Sequence, residues 1–333
     1  MTGRVKLSGD PAYTYAVGRV RVRERRLLTK RALVEAAEAR SFEGAVDALR
    51  EAGYEPVSRG GAGLEELLAK QSAELTRFIR ESVPDPRLLE YLRLRLDYAN
   101  LKAALVGRLT ERKPPLTEGG AVPPEKLTAF ADGGEPDVLP TPFAELARGL
   151  LEEWEKARDP FLLQQGVDRA LFARLTGLVG EIGLPFLTAY QKLETDLVNL
   201  TALVRCLAAP NPEELSAAAF IPGGGLDLVR LEGYARTGDR SGAAEYVGRT
   251  PYAELTRGAV EGAPDGIANL AARGADRKLE FLRQARHAPF GAEPLISYYL
   301  AKRNEFEMVR FVLTCKLNGV PPETITARLW GVS

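Results

Sequence analysis

Cysteine, methionine and tryptophan occur twice each in this chain of 333 residues, and histidine once. Two cysteines exclude a disulfide framework. A single histidine, with no Cys-x-x-Cys pair and no acid-rich loop, argues against a metal centre. His287 reads as a surface or helix-end residue, and a cysteine nucleophile at Cys206 or Cys315 would have almost no choice of base. No apolar run approaches the ~20 residues that span a bilayer. The opening MTGRVKLSGD lacks the apolar core of a signal peptide, so a cytoplasmic location is expected. Net charge is zero, which removes any general attraction to nucleic acid or acidic lipid.

Phosphate-binding loops are missing too. The Gly-rich stretch Ser58 to Glu66 has no Gly-Lys-Ser/Thr, and Pro222 to Gly225 follows no strand. Both read as flexible turns. Paired carboxylates are plentiful, but they sit where a solvated helix face puts them. No cofactor, metal, small-molecule substrate or nucleic acid is expected.

What is present is helix and repetition. Hydrophobic content of 45% with 27% charged residues describes a globular protein. Arg and Pro are abundant while Asn, Gln, Met, Cys and His are scarce, a bias of heat-adapted proteins. Apolar residues recur at three and four from Tyr15 to Arg50 and again from Leu64 to Ile79. The longest such runs are Leu88 to Leu109, Phe186 to Leu207 and Pro294 to Leu317. The alternation at Arg19 to Arg23 lies inside a helical window and is read as helix. The fold class is all-α.

TPFAELARGL at Thr141 returns as TPYAELTRGA at Thr250, an offset of 109. The register holds downstream, where Tyr190 to Leu207 meets Tyr299 to Lys316, and a third copy, Tyr91 to Arg108, lies upstream. Three columns follow: Asp97, Asp196 and Glu305; Asn100, Asn199 and Met308; Leu101, Leu200 and Val309. Gly107, Cys206 and Cys315 form a fourth, which asks for a small buried residue. Pro-Glu pairs at Pro124, Pro212 and Pro322 start a helix after each long run. The stretch around Gly44 also echoes that around Gly242. The copies are too long for solenoid units, so each is read as a small domain: 1–110, 111–208 and 209–333. Pro- and Gly-rich junctions at 110–125 and 208–214 agree, and 131–142 reads as a loop within the middle copy.

An acid inside an apolar stripe needs a partner. Arg93 and Lys192 stand one turn before Asp97 and Asp196 and are candidate i,i+4 partners; Ala301 offers Glu305 nothing. The acids either tie helices within each copy or line an inner surface shared by three copies. The basic stretch Gly18 to Arg31 is either a solvated helix face or a contact for an acidic partner.

The stretches Tyr13 to Leu28 and Pro294 to Leu329, with the Tyr-Asp-Asn columns, resemble the C subunit of the archaeal and bacterial V-type (A-type) ATPases, related to the d subunit of the eukaryotic vacuolar enzyme. The departure is Met308, where the other copies carry Asn. The resemblance implies a non-catalytic rotor part: three similar helical domains arranged as a pseudo-threefold funnel with a central cavity. It implies one copy per complex, bound peripherally on the cytoplasmic face of the plasma membrane. The partners implied are the D and F subunits of the central shaft and the proteolipid ring, with torque passing between them for ATP synthesis or hydrolysis and ion transport. The candidate partner contacts are Arg19, Arg21, Asp97, Asn100, Asp196, Asn199, Arg303, Glu305 and Arg310. A helical interaction scaffold outside any such complex is the alternative reading.

Overall fold

The computed structural model describes residues 5–55 and 60–330, with backbone alone at 212, 214, 217 and 218. Among the described residues there is no strand. The order is α1 (Thr14–Glu24), α2 (Lys30–Glu38), α3 (Phe42–Ala48), α4 (Gly60–Ser82), α5 (Pro86–Thr110), α6 (Pro124–Ala131), α7 (Thr141–Ala157) and α8 (Pro160–Ile182). There follow α9 (Pro185–Ala208), α10 (Pro212–Ala219), α11 (Leu228–Thr237), α12 (Arg240–Gly248), α13 (Ala253–Glu261), α14 (Gly266–Leu282), α15 (Glu293–Leu317) and α16 (Pro322–Thr326).

Local chemistry sets many of these boundaries. Proline opens α5, α6, α8, α9, α10 and α16, where its missing N–H costs nothing. Asp85 and Asp159 cap α5 and α8 by accepting from Arg87 N and Phe161 N. The arginine-rich alternation lies in α1, as expected. One expectation fails: from Gly60 onward the Gly-rich stretch is the first turn of α4, not a loop. The leucines at 64, 67 and 68 bury against the core and carry the helix past its glycines. Ser58 and Arg59 lie outside the described residues. The junction 131–142 is a loop with one short 3-10 turn, Pro136–Val138.

The three longest helices, α5, α9 and α15, each follow another extended helix: α4, α8 and α14. The packing between these pairs is cyclic. Helix α5 packs on α8, α9 packs on α14, and α15 packs on α4. The short helices α1, α2 and α3, from the start of the chain, also pack on α15, near its end. One apolar core runs from Tyr13 to Leu329 through all of these. No helix among the described residues is long and apolar enough to cross a membrane.

Candidate functional site

The acids of the first column do the same job three times. Asp97, 2% exposed on α5, accepts at Oδ1 from Ala121 N at 2.6 Å and Val122 N at 3.0 Å. Asp196, 4% exposed on α9, accepts at Oδ1 from Gly225 N at 2.7 Å and Leu226 N at 3.0 Å. Glu305 on α15 accepts from Leu28 N at 2.7 Å. In each case the loop so held leads straight into a short helix: α6, α11 and α2 respectively. A buried carboxylate tolerates desolvation because it takes several N–H bonds at once.

These ties run forward along the chain and then close. Asp97 holds residues 121–122 and Asp196 residues 225–226, each downstream of its own helix, while Glu305 reaches back to residue 28. The acids therefore tie segments distant along the chain. Such a link needs residues 24 to 277 positions apart, a separation helical periodicity does not report.

A tyrosine hydroxyl joins two of the ties. Tyr252 donates to Asp196 Oδ2 at 2.8 Å and Tyr54 to Glu305 Oε1 at 2.7 Å. Burial, then the adjacent carboxylate, drives both phenols well above the usual range, so they stay hydrogen-bond donors. Phe143 corresponds to Tyr252 by the TPFAELARGL match, packs on Tyr98, and has no hydroxyl to give.

The asparagines work alongside. Asn100 donates to Thr117 O at 2.8 Å and accepts from Thr117 N at 2.9 Å. Asn199 makes the same pair with Ile221, both at 2.8 Å. Thr117 and Ile221 each stand five residues before the second amide held by the acid, Val122 and Leu226. The same step back from Leu28 reaches Arg23, which lies in α1 and whose carbonyl accepts from Arg26 N. A helical residue finds its backbone partners in its own helix and needs no amide side chain. Met308, buried at 2%, is thus explained: the residue an amide would hold in the third place is in the last turn of α1, while the acid's own partner, Leu28, is in the loop beyond it.

The expected i,i+4 ion pairs give way to other contacts. Arg93 donates to the carbonyls of Gly119 and Gly120, in the loop Asp97 holds, and no ion pair joins it to Asp97. Glu305 has the cation expected to be missing: Lys302 Nζ pairs with it in a buried contact and lies 4.7 Å from the Tyr54 ring centroid. The Pro-Glu pairs do start helices, yet Pro124 and Pro212 stand on opposite sides of the tied loops in chain order. The loop tied by Asp97 precedes α6 and the loop tied by Asp196 precedes α11, so α10 is an added helix ahead of the tie. The loop at Pro222 to Gly225 is a turn, but a pinned one.

The long helices share a second polar layer two residues before the acids. Arg95 on α5 pairs with Glu194 on α9, and Tyr91 OH donates to Gln191 Oε1 at 2.9 Å. Burial alone would raise Glu194, but Arg95 and Lys278 outweigh it and hold the carboxyl below its usual range. Arg303 on α15 fills the third place of this layer, and its charge and that of Arg95 partly offset the burial that raises Tyr299. Tyr91, Tyr190 and Tyr299 are all buried, each six residues before its acid.

Of the nine candidate contact residues, Asp97, Asn100, Asp196, Asn199 and Glu305 are buried and engaged within the chain. They act as internal ties. Arg19 pairs with Glu81 at 2.9 Å and lies over Phe78, and Arg21 pairs with Glu24 and donates to Ala288 O. Arg310 pairs with Glu65, and Arg303 stands partly exposed over Phe306. These four keep some exposure. The sequence missed Tyr54, Tyr252 and Lys302, although the TPFAELARGL match put Tyr252 in view. No group of His, Cys, Asp and Glu side chains among the described residues is arranged to hold a metal ion.

A chain of helices closed by repeated buried ties defines a structural element rather than a reaction centre. The family of the ATP synthase (C/AC39) subunit matches residues 16–328. The chain is similar to the C subunit of the V-type sodium ATPase of Enterococcus hirae, 21% identical over 93% of this chain and 95% of that protein. It is also similar to the C subunit of the A-type ATP synthase of Pyrococcus furiosus, 23% identical over 94% of this chain and 89% of that one. The chain belongs to the ATP synthase (C/AC39) subunit family, as a structural, non-catalytic subunit of a V/A-type ATPase.

Proposed function

We propose that this protein is the adaptor that seats the central shaft, made of the D and F subunits, on the membrane proteolipid ring and passes torque between them. One copy would sit peripherally on the cytoplasmic face of the membrane. The observation that carries this reading is the cyclic set of ties, Asp97 to 121–122, Asp196 to 225–226 and Glu305 to 28. A part that transmits torque must resist shear between its pieces. Close packing and buried, saturated polar links give that resistance. Three domains, 1–110, 111–208 and 209–333, joined in a closed order would surround a central space, the funnel this reading requires. The arginines that keep some exposure, Arg19, Arg21, Arg303 and Arg310, are proposed to meet acidic partner surfaces, with salt-sensitive association.

The test is genetic and biochemical. The tagged chain, drawn from detergent-solubilised membranes, is expected to bring the shaft proteins and the proteolipid ring with it. Deleting it is expected to leave ATP hydrolysis by the soluble head while abolishing coupled ion movement. Full ion pumping without the chain would refute the coupling role, and recovery with no ATPase component would favour the free scaffold.

A further inference from the structure

Two basic stretches far apart in sequence meet at one corner of the molecule. The end of α1 brings Arg25, and the 3-10 turn Arg283–His287 brings Arg286. The contact of Arg21 with Ala288 O at 2.8 Å fastens the two segments together. Between them and α15 lies a cavity of about 250 Å³. Its apolar lining comes from Leu27, Leu279, Leu282 and Ala301, with Tyr298 beside them.

Three observations give the cavity a chemical character. Arg25 and Arg286 line it and have no ion pair among the described residues. Glu24 also lines it, but its carboxylate is taken by Arg21 at 2.7 Å. Ser297, 7% exposed, lines it as well, and its buried hydroxyl has no hydrogen-bond partner. A buried hydroxyl without a partner is uncommon and costly in a folded protein. A ligand atom in the cavity would satisfy it.

We propose that this cavity binds an anionic amphiphile, a phosphate ester with an apolar chain. The phosphate oxygens accept from the forked guanidinium groups of Arg25 and Arg286, and the Ser297 hydroxyl donates to the ester. The first carbons of the chain lie on Leu27, Leu279 and Leu282. A carboxylate has two oxygens, which one arginine saturates in a bidentate pair. A tetrahedral phosphate offers oxygens enough for two guanidinium groups and a hydroxyl together. The cavity is smaller than the ~300–1,000 Å³ of most small-molecule sites, which suits a head group and a short length of chain.

The probe is octyl phosphate below its micellar concentration, titrated into the full chain by calorimetry. Saturable binding is expected, with none for octyl glucoside, the uncharged amphiphile of the same chain length. Arg25→Ala with Arg286→Ala is expected to weaken binding roughly tenfold or more, the loss of two charged hydrogen-bond donors. Ser297→Ala is expected to weaken it roughly threefold to tenfold with a melting temperature that does not fall, since the hydroxyl it removes is buried and unpartnered. Equal binding of octyl glucoside, or unchanged binding by the double variant, overturns the proposal. Co-sedimentation with phosphatidylglycerol vesicles, lost in the double variant, would identify a membrane lipid as the source. Binding of octyl phosphate with no vesicle co-sedimentation would identify a free amphiphile.

Discussion

A carboxylate sealed inside a helical protein is stable only if something replaces its water, and here backbone amides do so. Burial still leaves its mark on Asp97. It raises the carboxyl above the usual aspartate range, against the amides of Val122 and Ala121 and the charge of Arg93. The folded state therefore takes up the proton more readily than the unfolded chain. Stability contributed by this group is present at low pH and declines as pH rises from the usual value of ~3.9 through the raised one. Asp97→Asn keeps an acceptor for both amides and removes the titration, so urea unfolding across that range is expected to show a flatter pH dependence. Phe143 offers a gain in place of a loss. Its ring packs on Tyr98, the residue after Asp97, at 5.2 Å, as Tyr54 packs on Phe306, the residue after Glu305, at 6.5 Å. Phe143→Tyr is expected to place a hydroxyl on Asp97 and stabilise the protein by about 1 kcal/mol, read by chemical denaturation. An unchanged midpoint would show that the ring does not point at the carboxylate. The two thiols, both free, separate as well: Cys206 is 2% exposed with its ionisation suppressed by burial, while Cys315 is half-buried. A thiol reagent is expected to label Cys315 first and Cys206 only on unfolding.

At the scale of elements, the tied loops are shaped by glycine as much as by acid. A Cβ at Gly120 would stand 2.2 Å from Asp97 Oδ1, and one at Gly224 the same distance from Asp196 Oδ1. Both contacts are shorter than any side chain permits, so the carboxylate can approach the amides only where the backbone is bare. Gly224→Ala is expected to cost about 2 kcal/mol or more and to free the loop before α11, seen as faster amide exchange at Gly225 and Leu226. Helix existence and extent were legible in the sequence. The runs at 88–109, 186–207 and 294–317 coincide with α5, α9 and α15 within a few residues. The first turn of α4 was not, because glycine and alanine carry little periodic signal; the leucines that follow, at 64, 67 and 68, bury in the core and extend the helix back over it. The equivalence of Pro124 and Pro212 misled for a related reason. Proline before an acid marks a helix start but says nothing of which start it is.

For the whole molecule, cyclic ties predict cooperative behaviour. Each tie joins segments distant along the chain, so none loses its partner without exposing buried donors elsewhere. Calorimetric unfolding is expected to show one transition. Asp196→Ala, which strands two amides and the Tyr252 hydroxyl, is expected to shift that transition as a unit, by about 3 kcal/mol of stability. Two resolved transitions in the variant would show that the stretches fold independently.

The sequence alone determined that the chain is helical, that it repeats, and that the same acid and amide return at the same place in its longest helices. Those properties live in spacing and residue type, which local rules of helix geometry read directly. Only the tertiary structure decided that each acid holds a loop outside its own helix, that Met308 needs no amide because the residue opposite it is in a helix, and that Arg25 and Arg286 share a cavity. These are contacts between residues distant along the chain, fixed by how helices pack, and helix periodicity does not extend across the turns that separate them.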